Sequence, residues 1–368
     1  MTKRICAVVS TAALIHNLEE VKKKARGKKV VAVIKADAYG HGAVNAAKAY
    51  AEIADMFAVA TGDEALELRN AGVTKDILIL APVPKEDIEA LVKAEIILTV
   101  SSETDAENIS AVSEKLGITA RIHAAVDTGM SRIGFFPNKE GAWQIRKVAK
   151  FPFISLEAIF THYAKADEKD KTWMNIQTDR FRDFARAIKK DLPDIKFHIS
   201  NSAGIMEQQS HFGDFVRAGI VLYGLYPSDE VEKTAIHLIP ALTWKSRVSS
   251  VRWVEKGEGV SYGHTFRAEE RIKVATVSCG YADGYPRLLS NRGRVIIKEH
   301  SCPILGRVCM DQFMVDVSGV DVEIDDEVIL LGKSGAEEIT ADEIARLSGT
   351  INYEVVCDIG KRVPRIYE

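Results

Sequence analysis

The chain has little cysteine and no arrangement of it that carries chemistry. Cys6, Cys279, Cys302, Cys309 and Cys357 are scattered over 368 residues, with no CxxC pair and no clustered histidines. Their odd number and spacing argue against a disulfide framework and against zinc, and leave each thiol as a small buried hydrophobe in a reducing compartment, the cytoplasm. No apolar run approaches a membrane span, and the amino terminus lacks the long apolar stretch of a secretion signal. Charge of one sign is scarce as well. The net charge is -3 with both signs well mixed, which gives no reason to expect nucleic acid or an anionic membrane as partner. The one basic cluster, from Lys22 to Lys29, lies just before an apolar strand and reads as a solvated helix end. There is no Gly-x-Gly-x-x-Gly after the first barrel-type strand, which counts against a doubly wound nucleotide fold, and no low-complexity linker.

What is present is alternation. Short apolar runs predict strands at 30–35, 56–60, 77–80, 96–100, 121–127, 156–162, 196–200 and 214–217, separated by amphipathic segments such as 63–72 and 175–190. Eight strand-helix units in a row point to an α/β fold, a (β/α)8 barrel over 10–239. From 240 to 368 the pattern changes to closely spaced strands, near 244–254, 273–278, 295–298, 313–317 and 328–331, with one clear helix at 341–347. This predicts a mainly β second domain, which an amino-terminal strand at 3–9 could join.

Lys35 ends the run Val30-Val31-Ala32-Val33-Ile34 and is followed by Ala36-Asp37-Ala38-Tyr39-Gly40-His41-Gly42. A run of this kind is buried on both faces, and its carboxyl end is where a barrel places its chemistry. Desolvation there favours a neutral, nucleophilic amine able to form a Schiff base with pyridoxal phosphate. A lysine snorkelling to water from a core strand is the plainer alternative. The glycines that follow would let backbone approach a ligand closely.

The segment from Val31 to Gly42 resembles the cofactor-lysine motif of the alanine racemases. Further blocks of that family appear in order: Val126-Asp-Thr-Gly-Met-Ser-Arg132, Phe160-Thr-His162 with Asp167, Asn201-Ser202, Val216-Arg217-Ala-Gly219-Ile220, Gly259-Val-Ser-Tyr262, Gly280-Tyr281, Gly306-Arg307-Val-Cys-Met310-Asp311 and Thr350-Ile-Asn-Tyr353. The resemblance implies a pyridoxal phosphate enzyme that interconverts L- and D-alanine and supplies D-alanine for cell-wall precursors, as a homodimer with shared active sites. It implies Lys35 as the cofactor anchor and one proton-transfer group, with Tyr262 of the partner subunit as the other. It places the cofactor phosphate at Tyr39, Ser202, Tyr353 and the N–H groups of Gly219 and Ile220, with Asn201 nearby, and the pyridine nitrogen at Arg217. His162, which faces the cofactor ring, and His198 orient that arginine and the catalytic tyrosine. Arg132 and the Met310 N–H receive the substrate carboxylate, and Asp167, Tyr281, Arg287, Arg307, Asp311 and Tyr353 line the entrance. No metal is implied.

One position departs from the pattern. Many members of the family carry a lysine two residues before Asp127, carbamylated to brace the arginine, and this chain has Ala125 there. A buried, unpaired Arg132 is costly, so either a side chain such as Asp127 moves in or a small anion, chloride first, fills the gap; the anion is the expectation, because Asp127 belongs to the surrounding turn. Three other functions remain on the sequence alone: a racemase of serine or another small amino acid, a basic amino-acid decarboxylase of the same architecture, and a non-catalytic cofactor-binding protein. The decarboxylase would need a glutamate where Arg217 stands.

Overall fold

The computed structural model describes residues 4–368. The chain falls into two compact units, one of residues 13–38 and 43–239, the other of 4–12, 39–42 and 240–368 within the described range. The expected strand at 3–9 starts at Lys3, outside the described residues. Its remainder forms β1 (Ile5–Val9).

The first unit is a parallel barrel. Its strands are β2 (Lys29–Val33), β3 (Met56–Val59), β4 (Ile77–Ile79), β5 (Leu98–Val100), β6 (Ala120–Ala125), β7 (Ile154–Phe160), β8 (Lys196–His198) and β9 (Phe215–Ala218). They are ordered β4-β3-β2-β9-β8-β7-β6-β5. The seam between β4 and β5 is bridged rather than fully laddered: Ile79 N–H donates to Ile97 O at 3.0 Å, and Ile97 N–H to Ile77 O at 2.9 Å. Val30, Val31, Ala32 and Val33 are all buried, as a strand covered on both faces requires. The helix Thr11–Lys24 ends in Lys22, Lys23 and Lys24, where cations complement the dipole.

The predicted strands exist, but most of them stop short. β2 ends at Val33, so Lys35 stands two residues beyond the ladder. β7 likewise ends at Phe160, two residues before His162. An apolar run shows which residues are buried, whereas the ladder ends where a neighbour's backbone diverges.

The second unit is built on β10 (Leu242–Val254), the small hairpin β11 (Gly259–Val260) and β12 (Phe266–Arg267), then β13 (Ile272–Val277), β14 (Arg294–Ile297), β15 (His300–Leu305), β16 (Phe313–Asp316), β17 (Glu327–Ser334), β18 (Glu337–Ile339) and β19 (Arg365–Tyr367). The large sheet runs β18-β17-β14-β15-β16-β13-β10-β1-β19, and β17 also pairs with β10, which closes a ring of six strands. β1 pairs antiparallel with β10, Ile5 opposite Ser246. Two features of this unit lie outside the sequence expectation: the helix Asn352–Cys357, which carries Tyr353, and the assignment of Tyr39–Gly42 to this unit. Of the cysteines, Cys279 and Cys302 are buried but Cys357 is exposed, so the uniform expectation of buried thiols fails there.

Candidate active site

Lys35 is half-buried and opens a turn of unusual hand. Ala36, Asp37 and Ala38 have φ of 51°, 52° and 53° with ψ near 50°, and Tyr39 follows at φ 52°. Left-handed backbone costs an L-residue roughly 1–2 kcal/mol, so four in succession need specific support. Ala38 N–H donates to Ile34 O at 3.0 Å, Ala43 N–H to Asp37 Oδ1 at 2.7 Å, and Ala36 N–H to Glu64 Oε1 at 2.6 Å. The glycines after this turn serve a protein contact rather than a ligand. A Cβ on Gly40 would stand 2.1 Å from Val356 O, and one on Gly42 1.8 Å from the Tyr367 hydroxyl, both at positive φ.

Arg217 is 3% exposed and points its donors at fixed acceptors inside the barrel. NH2 donates to Thr161 O at 2.7 Å and Ile199 O at 3.1 Å, and NH1 donates to His198 Nδ1 at 2.8 Å. Arginine only donates, so His198 Nδ1 accepts and the proton of a neutral His198 lies on Nε2. That nitrogen is 3.2 Å from His123 Nδ1, which must then accept in turn. The tautomers of both histidines follow from one arginine.

Burial, reinforced by the Arg217 charge, holds His198 well below the ordinary imidazole range, and burial brings His123 down to about 3. Burial lowers Arg217 itself to about 9, which leaves it protonated at neutral pH. His162 is also held neutral by burial, with Arg217, Arg132 and Lys35 adding to the shift. The His162 contact to Arg217 NH2, at 3.3 Å, is the weakest of the set because both NH2 hydrogens already have carbonyl acceptors. Nε–H of Arg217 has no acceptor among the described residues.

Two short elements begin beside each other after β8 and β9. Asn201 caps the helix Ser202–Glu207 by accepting from Gly204 N–H at 3.0 Å. Ser202 Oγ accepts Gly219 N–H at 2.9 Å, and the 3₁₀ turn Ile220–Tyr223 starts immediately after. The first N–H groups of such elements lack internal acceptors, so an anion is favoured there.

In the β unit, Tyr39 and Tyr353 lie with ring centroids 6.1 Å apart. Tyr262 sits on a 3₁₀ turn after Ser261, whose φ is 63°, and is 71% exposed; Met310 is 52% exposed and Tyr281 42%. Met310 O accepts Ala282 N–H at 2.9 Å, while its own N–H has no acceptor among the described residues. Arg287 and Arg307 are exposed. Ser261 Oγ donates to Arg307 O at 2.6 Å, tying the Tyr262 turn to the Met310 loop. Asp311, expected at the entrance, accepts from Arg362 at 2.8 Å.

A family model for the alanine racemase N-terminal domain matches residues 9–227, and one for the C-terminal domain matches 241–367. The alanine racemase of Clostridium tetani is 44% identical over 99% of this chain and 95% of its own length. This chain belongs to the alanine racemase family. Solved alanine racemases share its fold: that of Clostridium difficile at 41% identity and a TM-score of 0.96, covering 100% of this chain and 96% of the other, and that of Bacillus anthracis, with bound L-Ala-P, at 36% and 0.94 with the same coverage.

Against the alanine racemase pattern, the Ala125 region needs one correction. Ala125 is buried, but Arg132 is exposed, so water solvates the guanidinium and the premise of a buried unpaired cation does not hold. Asp127 is committed to its turn, where Oδ1 accepts the N–H groups of Gly129, Met130 and Ser131 at 2.9, 2.9 and 3.0 Å. Asp167, half-buried, is fixed through its carbonyl by Ser228 Oγ at 2.5 Å. Two residues around this site carried no signal in the sequence: Glu64, which reads as an ordinary helix-start residue, and His123, which reads as a core histidine.

Proposed function

We propose that the chain interconverts L-alanine and D-alanine with pyridoxal phosphate, providing D-alanine for cell-wall precursors in the cytoplasm. The observation that carries this reading is the uncommitted Nε–H of buried Arg217, a donor held ready by neutral histidines for an acceptor such as a pyridine nitrogen. The N–H groups of Ser202 and Ile220 suit a phosphate, joined by the hydroxyls of Tyr39 and Tyr353, whereas the expected Gly219 N–H is already taken by Ser202 Oγ. The donor set therefore fits the cofactor. No helix of the described residues is long and apolar enough to cross a membrane.

When bound, the cofactor draws electrons from the α-carbon of the amino acid attached to it, making that proton removable. Lys35 Nζ anchors the cofactor, and afterwards takes or returns the α-proton on one face. Tyr262 does the same on the other face, from a second copy of the chain in a homodimer, since two faces require two groups. Arg217 surrenders no proton, so it would meet the cofactor's ring nitrogen only as a donor, which would weaken the electron sink and favour proton return over decarboxylation. His198 and His162 orient Arg217 and Tyr262, and Asn201 supports His162 from 3.5 Å. Arg132 and Met310 N–H hold the substrate carboxylate. Tyr281 and Tyr353 restrict the side chain to little more than a methyl group, with Asp167, Arg287, Arg307 and Asp311 around the entrance. Chloride beside Arg132 and Ala125 is the remaining, finer part of the proposal, as a weakly held, solvated ion next to an exposed guanidinium.

Incubation of the purified chain with pyridoxal phosphate and a panel of L-amino acids, followed by chiral product analysis, tests the reading. D-alanine as the main product supports it. Faster conversion of serine or a larger amino acid, or carbon dioxide release, would replace it.

A further inference from the structure

Glu64 makes one more hydrogen bond than its local role requires. It is the third residue of the helix Gly62–Asn70 and completes a capping box with Thr61: Thr61 Oγ accepts Glu64 N–H, and Glu64 Oε2 accepts the N–H groups of Thr61 at 3.3 Å and Ala60 at 2.8 Å. A capping-box glutamate has done its work with those bonds. Its other oxygen, Oε1, leaves the helix altogether and accepts Ala36 N–H at 2.6 Å, shorter than the bonds it makes to its own cap.

That bond falls at a particular place. Ala36 N–H belongs to the peptide linking Lys35 to Ala36, and the plane of that peptide sets ψ of Lys35. It is also the first peptide of the left-handed turn, the point at which the chain leaves its ordinary conformation. β3, which leads into the Glu64 helix, pairs in parallel with β2, which leads to Lys35, with Val33 opposite Ala58. One carboxylate therefore clamps two adjacent loops at the carboxyl end of the barrel. The clamp is rigid because the cap already fixes Oε2.

We propose that Glu64 is a positioning residue that aims Lys35 by holding the Lys35–Ala36 peptide in the entry conformation of the left-handed turn. The proposal rests on the reading of Lys35 as the cofactor anchor. Loss of the carboxylate removes the acceptor at the turn as well as the cap, whereas loss of the Thr61 hydroxyl weakens the cap and leaves the turn alone. A glutamine keeps a single acceptor oxygen, enough for the turn or the cap but not both.

The test compares wild type, Thr61→Ala, Glu64→Gln and Glu64→Ala as full-length holoenzymes. Three quantities are measured: the rate at which hydroxylamine displaces Lys35 from the cofactor, read by visible absorbance; kcat and KM for both alanine enantiomers; and Tm. Thr61→Ala is expected to lower Tm with displacement and kcat near wild type. Glu64→Ala is expected to lower kcat by an amount on the order of a hundredfold, as a misplacement of about 1 Å can, with KM nearly unchanged and faster displacement, and Glu64→Gln to fall between.

Displacement and kcat in Glu64→Ala equal to those in Thr61→Ala would overturn the role. Should Glu64→Ala not fold, the same comparison with Glu64→Gln decides in the same way. Borohydride fixation and peptide mapping of wild type separate the two readings. An adduct on another lysine overturns the anchor itself, whereas an adduct on Lys35 with an unaffected Glu64→Ala overturns only the positioning role.

Discussion

The cluster around Arg217 in the barrel unit and the Tyr262, Met310 and Tyr281 loops of the β unit live in opposite physical states. In the barrel unit Arg217, His198 and His123 are buried and locked to one another, with tautomers and donor directions already fixed, and buried Ser202 is bonded to Gly219. In the β unit Tyr262, Met310 and Tyr281 are exposed, and the Met310 N–H has no acceptor among the described residues. Buried polar groups must satisfy one another during folding, so the barrel's half of the chemistry is preorganised by a single chain. Groups left in water carry no such constraint and can be completed by another molecule, which is the state expected of residues that act on a partner's substrate.

Removing the anchor is the largest break. Lys35→Ala should abolish covalent attachment and reduce racemisation in both directions by at least about 10²–10⁴, the range for loss of a proton-transfer group. Borohydride fixation with peptide mapping checks the attachment, and an adduct elsewhere refutes it.

Tyr262→Phe tests the exposed side. It should slow α-proton exchange by a similar factor of about 10²–10⁴ for one enantiomer and far less for the other, measured in deuterated solvent. Equal losses would remove its assigned role. Mixing Lys35→Ala with Tyr262→Phe protomers should restore part of the activity, and no restoration despite proven subunit exchange would place both groups in one chain.

Stability separates the two units directly. Arg217→Met strands Thr161 O, Ile199 O and His198 Nδ1, at about 1–3 kcal/mol for each buried acceptor left unpaired. Tyr262→Phe, at an exposed site, should stay within about 0.5 kcal/mol of wild type. Denaturant unfolding of both variants measures the gap, and equal losses would contradict the contrast between the units.

The buried histidines sharpen it further. His123 falls from an ordinary value of 6.5 to about 3 in the folded chain, and His198 is also lowered. As pH falls through that window the unfolded chain takes up protons first, so stability should decline from near pH 6.5 downward. The slope is up to about 1.4 kcal/mol per pH unit for each histidine. Unfolding between pH 6.5 and 5, above most carboxylate titration, should show this, and a flat profile would mean that the histidines are not held neutral.

The smallest effect concerns chloride. With Arg132 exposed, replacing chloride at constant ionic strength should change kcat/KM by about twofold or less, given the weakness of solvated ion pairs. A strong dependence would show that the arginine is covered in the working enzyme.

Much of this was legible in the chain. The apolar alternation gives the barrel because burial periodicity is a local property; Lys35, Asn201 and Ser202 stand out because they follow core strands, and Arg217 because it interrupts the apolar end of one. Glu64 was hidden for a physical reason: its capping box is complete within four residues, and the bond to Ala36 spans 28 positions. His123 was hidden likewise, since its partner lies 75 residues away.

Sequence alone determined the order of strands and helices, the change of pattern near 240 and the family's ordered motifs, all of which depend on residue type and short-range spacing. Tertiary structure decided where each ladder stops, that Gly40 and Gly42 make room for Val356 and Tyr367, and that Arg132 meets water. It also decided that Ala-Asp-Ala-Tyr winds left-handed. Of those four side chains only that of Asp37 supports the hand, by accepting Ala43 N–H; the bonds to Glu64 and Ile34 supply the rest of what makes the unfavourable conformation the stable one.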